Sequence, residues 1–132
     1  MKHHVYLILL MASGVLYAAD TPQSMMERYA TEAKAEQSDF QGFSAERGEV
    51  FFKSTHGGDW SCASCHTSVP TQSGEHAGTG KTIKPLAPSV NSERFTRLKK
   101  TEKWFKRNCN DVLDRPCTAV EKGDVMTYLL SL

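Results

Sequence analysis

Apolar and polar residues recur along most of this chain at the spacing of helices. Thr21 followed by Pro22 predicts the start of a first helix over residues 23–37, because threonine caps helices and proline suits the first helical position. Ser44 predicts the cap of a second helix over residues 45–52. The alternation typical of a half-buried strand is not apparent. We therefore expect an all-α fold.

The C-terminal half predicts two further helices. The first covers residues 91–107, with a break expected near Thr101, and its apolar residues at helical spacing are Phe95, Leu98 and Phe105. The last helix begins with Thr118 and Glu121, which have the spacing of a capping box. Its apolar stripe consists of Val125, Tyr128, Leu129 and Leu132.

The segment between the second and third helices has no helical pattern. Residues 67–90 contain three prolines and three glycines, which favour a loop with at most one turn of helix. Loops of this length usually have a function. Wrapping a bound cofactor would be such a function, because the cofactor supplies the apolar surface that the loop itself lacks. A flexible surface loop is the alternative.

The first residues have the pattern of a secretory signal peptide. Lys2 precedes an apolar run over residues 5–19 that ends in small residues. This run is shorter than the roughly 20 residues that a membrane-spanning helix needs. We expect cleavage after residue 19, a periplasmic location and no membrane span, with an uncleaved amphipathic anchor as the alternative.

Length and charge restrict the class of protein. The chain of 132 residues predicts one domain. Removal of residues 1–19 takes only Lys2 from the 16 basic side chains and leaves them equal in number to the 15 acidic ones. A chain without excess positive charge is not expected to bind nucleic acid.

Cys62, Cys65 and His66 form the most specific motif in the chain. On one helical turn the two thiols face the same side, where they can form thioethers with the vinyl groups of a porphyrin. His66 is then placed to ligate the iron. A thioredoxin-like dithiol would need a preceding strand, and a zinc site would need a second pair at similar spacing. The motif predicts one covalently bound haem c.

The other two cysteines are Cys109 and Cys117. As the only remaining pair in an oxidising compartment, they are expected to form a disulfide. Closing so short a loop would contribute about 2.5 kcal/mol in the chain-entropy model. Free buried thiols are the alternative.

The motif does not identify the second ligand of the iron, on the side opposite His66. Methionine or histidine is usual in cytochromes c, but Met126 is expected in the core of the last helix. His76 lies in the wrapping loop and can reach the iron, and an open position is equally compatible. Lysines, the other methionines and Asn108 also remain. Asn108 has another explanation, as the C-cap of a helix that ends at Arg107.

Several stretches share one family pattern: residues 47–52, 62–66, 79–89, 94–96, 102–109, 117–124 and 128–129. They resemble the SHP family, the sphaeroides-haem-protein type of class I cytochrome c. The resemblance covers residues 43–132. It implies a class I cytochrome c-like fold around one covalent haem, with a cytochrome c domain at 43–132 and an N-terminal helical extension at 20–42.

The resemblance also implies a function. In the family, ferric iron is held by histidine and by an asparagine directly before a disulfide cysteine, which correspond here to His66, Asn108 and Cys109. The asparagine is released on reduction, and oxygen or nitric oxide can bind. A dihaem cytochrome c is the expected redox partner. One alternative is a haem enzyme that turns over nitric oxide, oxygen or peroxide, but the sequence shows no recognisable distal acid-base pair. The other alternative is a plain electron carrier with His76 as permanent ligand.

Overall fold

Five helices and one short hairpin make up the structure, a computed structural model that describes residues 19–132. The elements in chain order are α1 Pro22–Glu36, α2 Ala45–Lys53, α3 Cys62–His66, β1 Gly74–Glu75, β2 Thr82–Ile83, α4 Leu98–Leu113 and α5 Ala119–Leu130. The two strands pair antiparallel, with Gly74 opposite Ile83. The predicted signal peptide lies outside the described residues except for Ala19. Within the described part, no helix is both long and apolar enough to cross a membrane.

Local capping explains where three of the helices begin. The Thr21 hydroxyl accepts a hydrogen bond from the backbone N–H of Ser24, and Ser44 caps α2 in the same way. Thr118 and Glu121 form the capping box of α5. These side chains satisfy backbone N–H groups that the first turn of a helix leaves without partners. The predicted starts of α1, α2 and α5 are therefore confirmed.

The central packing contact is the crossing of α2 and α5. A side chain at Gly48 would overlap the backbone carbonyl of Asp124, so glycine allows the two helices to approach closely. The Asp124 carboxylate is buried and accepts hydrogen bonds from the Ser44 backbone and from the Arg47 guanidinium. Beside this crossing lies a core cluster made of Phe52, Val125, Tyr128 and Leu129.

Helix α1 packs against the same C-terminal helix. Met25 and Tyr29 are buried and form a second core cluster with Met126 of α5. Ala33 is also fully buried. Met126 is thus a core residue, as the sequence predicts, and the N-terminal extension shares a core with the last helix.

Helix α4 differs from its prediction at both ends. It begins at Leu98 rather than near residue 91, it has no break at Thr101, and it continues to Leu113. Its C-cap is Asp114, with a φ of 54°. Asn108 therefore lies inside the helix, and its predicted role as a C-cap is wrong.

Two features of the preceding segment explain the later start of α4. Phe95 has a φ of 57°, which interrupts helical geometry before Leu98. The side chains of Asn91 and Arg94 both donate to the Pro85 carbonyl and hold this segment in turns. The small hairpin was also missed, because two-residue strands are too short to show alternation.

Candidate haem site

The attachment motif forms a short helix of its own. Ser61 and Ser64 form a reciprocal capping box at the start of α3. This turn places Cys62, Cys65 and His66 along the wall of one cavity. The local sequence therefore positions both thiols and the imidazole toward the same space.

That cavity has the size and lining of a cofactor site. Its volume is about 910 Å³. Its apolar lining comes from the helices and from the loops around them and includes Phe51, Phe52, Trp60, Leu86, Phe95, Trp104, Phe105, Val125 and Leu129. Two thiols, one imidazole and a wall rich in apolar side chains are the donor set and surroundings that a covalently attached haem requires. The residues present thus fit a haem c.

Burial sets the protonation of two groups at the site. It raises the pKa of the Cys62 thiol to about 11. The pKa of His66 is lowered to about 4, first by burial and then by the positive charge of Arg94. A neutral imidazole keeps the nitrogen lone pair that metal ligation needs. His66 is therefore already in the form that can bind iron at neutral pH.

Asn108 lines the cavity from helix α4. Its side chain is half-buried, and no hydrogen bond to its amide occurs among residues 19–132. The next residue, Cys109, is buried and forms a disulfide with Cys117, with the two Cα atoms 5.6 Å apart. The structure thus brings a polar side chain without a protein partner to the cavity, beside a covalent tether.

His76 also borders the cavity, but it is exposed at the turn of the hairpin. Its Nδ1 accepts a hydrogen bond from the Gly78 backbone at 3.2 Å. The next residue, Ala77, donates its N–H to the Cys65 sulfur at 3.4 Å. The hairpin therefore packs on the attachment helix, and one ring nitrogen of His76 is used within the turn.

Sequence reasoning missed Arg94 as part of the site. Arg94 lines the cavity, and its guanidinium donates to the carbonyls of Lys84 and Pro85 at 2.7 and 2.9 Å. Burial lowers its pKa. Its only signal in the sequence is its place in a stretch that carries the family pattern. Trp60 and Trp104 also border the cavity.

Comparisons with known proteins decide the family. A family model described as a domain of unknown function (DUF1924) matches residues 38–129. Cytochrome c-type protein SHP of Cereibacter sphaeroides is 37% identical over 133 residues, which cover 98% of each chain. The chain belongs to the SHP and cytochrome c'' family of monohaem cytochromes c.

Solved structures of this family share the fold. Oxidised SHP, described as an oxygen-binding cytochrome c, matches with a TM-score of 0.77 at 37% identity and covers 87% of this chain and 100% of its own. Cytochrome c'' from Methylophilus methylotrophus, whose solution structure was studied for haem-ligand detachment, has a TM-score of 0.73 at 36% identity, covering 84% and 93%. The predicted family, the all-α cytochrome c fold and the single haem c are confirmed.

The family relation is wider than the sequence resemblance suggested. Because the SHP match covers 98% of this chain, it must include most of residues 20–42. The match to SHP thus extends into the segment before residue 43. The reason is visible in the fold, since Met25 and Tyr29 of this segment pack in the core with Met126.

Proposed function

We propose that this cytochrome is a one-electron carrier in which His66 and Asn108 hold the ferric iron. On reduction Asn108 leaves, and oxygen or nitric oxide can bind in its place. The haem supplies the one-electron couple and, when its sixth position is free, the site for a diatomic ligand. One observation carries the proposal: Asn108 lines the same cavity as His66 with an amide that has no partner among residues 19–132.

The attachment proposed here uses Cys62 and Cys65 as the two thioether links. A thioether carries no charge, which suits the buried position of the Cys62 sulfur. His66, adjacent in sequence and neutral at physiological pH, provides the permanent ligand. Lining the same cavity from another helix, Asn108 is the residue we assign to the exchangeable position.

The chemistry of asparagine fits a ligand that leaves. Its neutral amide oxygen is a hard, weak donor, which ferric iron accepts more readily than ferrous iron. The disulfide of Cys109 restrains the neighbouring backbone, so Asn108 moves only a short distance and can return on oxidation. The described ligand detachment in cytochrome c'' and oxygen binding in SHP support this assignment.

Replacement of Asn108 tests the proposal directly. In oxidised Asn108→Ala, we expect the absorption spectrum to change from low-spin to high-spin, because the sixth ligand is lost. Asn110→Ala is the matched control, since Asn110 lies on the same helix and is exposed. An unchanged ferric spectrum in Asn108→Ala would reject the assignment.

The same ferric spectra distinguish Asn108 from His76, the alternative ligand. If His76 were a permanent sixth ligand, His76→Ala would produce the high-spin ferric spectrum and Asn108→Ala would not. The reduced wild type would then also fail to bind carbon monoxide. Sustained consumption of nitric oxide or peroxide with excess reductant would instead favour an enzyme.

We also assign export to the periplasm, with residues 1–19 as a cleaved signal.

We further assign an acidic redox partner, such as a dihaem cytochrome c. Helix α4 and the residue before it expose six basic side chains, none of which belongs to an ion pair among the described residues: Arg97, Lys99, Lys100, Lys103, Lys106 and Arg107. Three of them, Arg97, Lys100 and Arg107, border the cavity. Charge complementarity at such a rim mainly raises association rates. Electron transfer with an acidic partner should therefore slow as salt concentration rises.

A further inference from the structure

Tyr29 and Glu102 join the N-terminal helix to the helix that carries Asn108. Tyr29 of α1 is fully buried, and its hydroxyl donates a hydrogen bond to the Glu102 carboxylate of α4. The other oxygen of Glu102 accepts from Lys122 Nζ of α5 at 2.8 Å. Lys122 Nζ also lies 5.3 Å from the centre of the Tyr29 ring. One carboxylate thus ties three helices together.

The same tyrosine contacts the wall of the cavity. The Tyr29 ring packs edge-on against Phe105, with ring centres 6.1 Å apart and planes at 86°. Phe105 lines the cavity and precedes Asn108 by three positions on α4. Residues three apart lie on the same face of a helix. In a close-packed interior, a displacement of Tyr29 would therefore press on Phe105, which lies on the same face of α4 as Asn108.

Helix α4 is also held at both ends. Its N-cap residue makes no side-chain capping bond. The backbone N–H of Leu98 instead donates to the Asp20 carboxylate at 2.7 Å, which again comes from the N-terminal segment. Near the other end, Cys109 is fixed by its disulfide. Asn108 therefore lies between the Glu102 contact and the covalent tether.

We propose that Tyr29 and Glu102 are positioning residues whose hydrogen bond fixes α4 on the core and controls how readily Asn108 leaves the iron and returns. The inference rests on the proposed function, because it names what regulates the exchangeable ligand. Burial, and then the hydrogen bond to Glu102, raise the pKa of Tyr29. The hydroxyl thus keeps its proton and remains a donor in both redox states.

Two variants and one control isolate this contact. Tyr29→Phe removes the hydroxyl and keeps the ring that packs on Phe105. Glu102→Gln keeps the size of the side chain and removes the charge that pairs with Lys122. Glu36→Gln is the matched control, because Glu36 lies on the same helix as Tyr29 but accepts from the Ala119 backbone of α5 at 3.1 Å.

The experiment measures ligand exchange in the haem-loaded protein. Departure of Asn108 after rapid reduction in the presence of carbon monoxide, and recovery of the ferric spectrum after oxidation, are followed by stopped-flow absorption. We expect Tyr29→Phe and Glu102→Gln to change these rates roughly 2- to 30-fold, as for other residues coupled to a site. Glu36→Gln should leave them at the wild-type values. Wild-type rates in both variants, or an equal change in the control, would overturn the positioning role.

A double variant separates this inference from the proposed function. An unchanged ferric spectrum in Asn108→Ala rejects Asn108 as ligand, whatever the effect of Tyr29→Phe. If that spectrum changes while Tyr29→Phe keeps wild-type rates, only the positioning role is rejected. In the Asn108→Ala background, Tyr29→Phe should have no further effect on carbon monoxide binding. A full effect there would show that Tyr29 controls access to the cavity instead and would also overturn the inference.

Discussion

The crossing of α2 and α5 differs from the cavity side in the hydrogen bonds that its polar side chains make. At the crossing of α2 and α5, Asp124 is only 4% exposed, and its carboxylate accepts from the Ser44 backbone and twice from Arg47. On the cavity side, His66 and Asn108 are half-buried, and neither has a side-chain hydrogen bond within residues 19–132. Buried polar groups that only stabilise a fold are normally paired. His66 and Asn108 instead line the cavity with side-chain atoms that no other residue within 19–132 binds.

The difference extends to the backbone. The helix crossing brings two backbones together at Gly48, whereas around the cavity four helices and the loops between them stand apart. Substitutions at the crossing should therefore act on the free energy of unfolding. Substitutions on the cavity side should act mainly on the spectrum and on ligand exchange.

The largest expected effect is on the crossing itself. Gly48→Ala places a methyl group against the Asp124 carbonyl, and overpacking at a backbone contact should lower the free energy of unfolding by about 3 kcal/mol or more. Urea unfolding of the haem-loaded protein measures this. Gly58→Ala is the control, because its nearest neighbour would be the Thr55 carbonyl at an ordinary 3.5 Å. Similar stabilities of the two variants would contradict the close approach.

An intermediate effect is expected on the cavity side, at the disulfide. Replacing both Cys109 and Cys117 by serine should lower the free energy of unfolding by about 2.5 kcal/mol, because the unfolded chain gains freedom. The same variant should exchange its ligand faster than wild type, since the backbone beside Asn108 is no longer tethered. Unchanged exchange rates, measured by stopped-flow, would show that the disulfide has no part in ligand release.

The smallest effect concerns pH. Burial of the Glu121 carboxyl raises its pKa, but hydrogen bonds from the Arg115 side chain and the Thr118 backbone outweigh this and leave the pKa below the usual value. A lowered folded pKa contributes stability above the unfolded value of about 4.3, and this contribution is lost as the pH falls through the folded pKa. Because the Arg115 side chain is 48% exposed and Glu121 is 21% exposed, this contribution should amount to about 0.5–1 kcal/mol.

Glu121→Gln tests this contribution. At neutral pH it should be less stable than wild type in urea unfolding, and the difference should shrink as the pH falls below about 4. The exposed pair of Lys53 and Glu49 provides the control, since Glu49→Gln should have a smaller effect at neutral pH. A difference between Glu121→Gln and wild type that stays constant from neutral to acid pH would contradict the assignment.

The sequence predicts the elements whose signals are local. The starts of three helices can be predicted from Thr21, Ser44 and Thr118, because capping involves residues only three positions away. The start of α4 depends instead on a long-range contact, in which Arg94 binds the Pro85 carbonyl. Periodicity alone cannot detect such a contact, so the predicted start is seven residues early.

The same distinction applies to the site. Attachment chemistry needs Cys62, Cys65 and His66 at fixed local spacing, so the motif predicts the haem directly. Arg94 and Asn108 reach the cavity from other parts of the chain, and only the fold brings them to it. The prediction that Asn108 is a ligand rests on family resemblance alone, since nothing about one asparagine in a helix indicates iron ligation.

Absorption spectra of the wild type in both redox states show directly whether the iron loses a protein ligand on reduction. We expect a low-spin, six-coordinate ferric form, and a high-spin ferrous form whose spectrum shifts when nitric oxide or carbon monoxide is added. A low-spin spectrum in both redox states, with no shift on addition of either gas, would contradict this expectation.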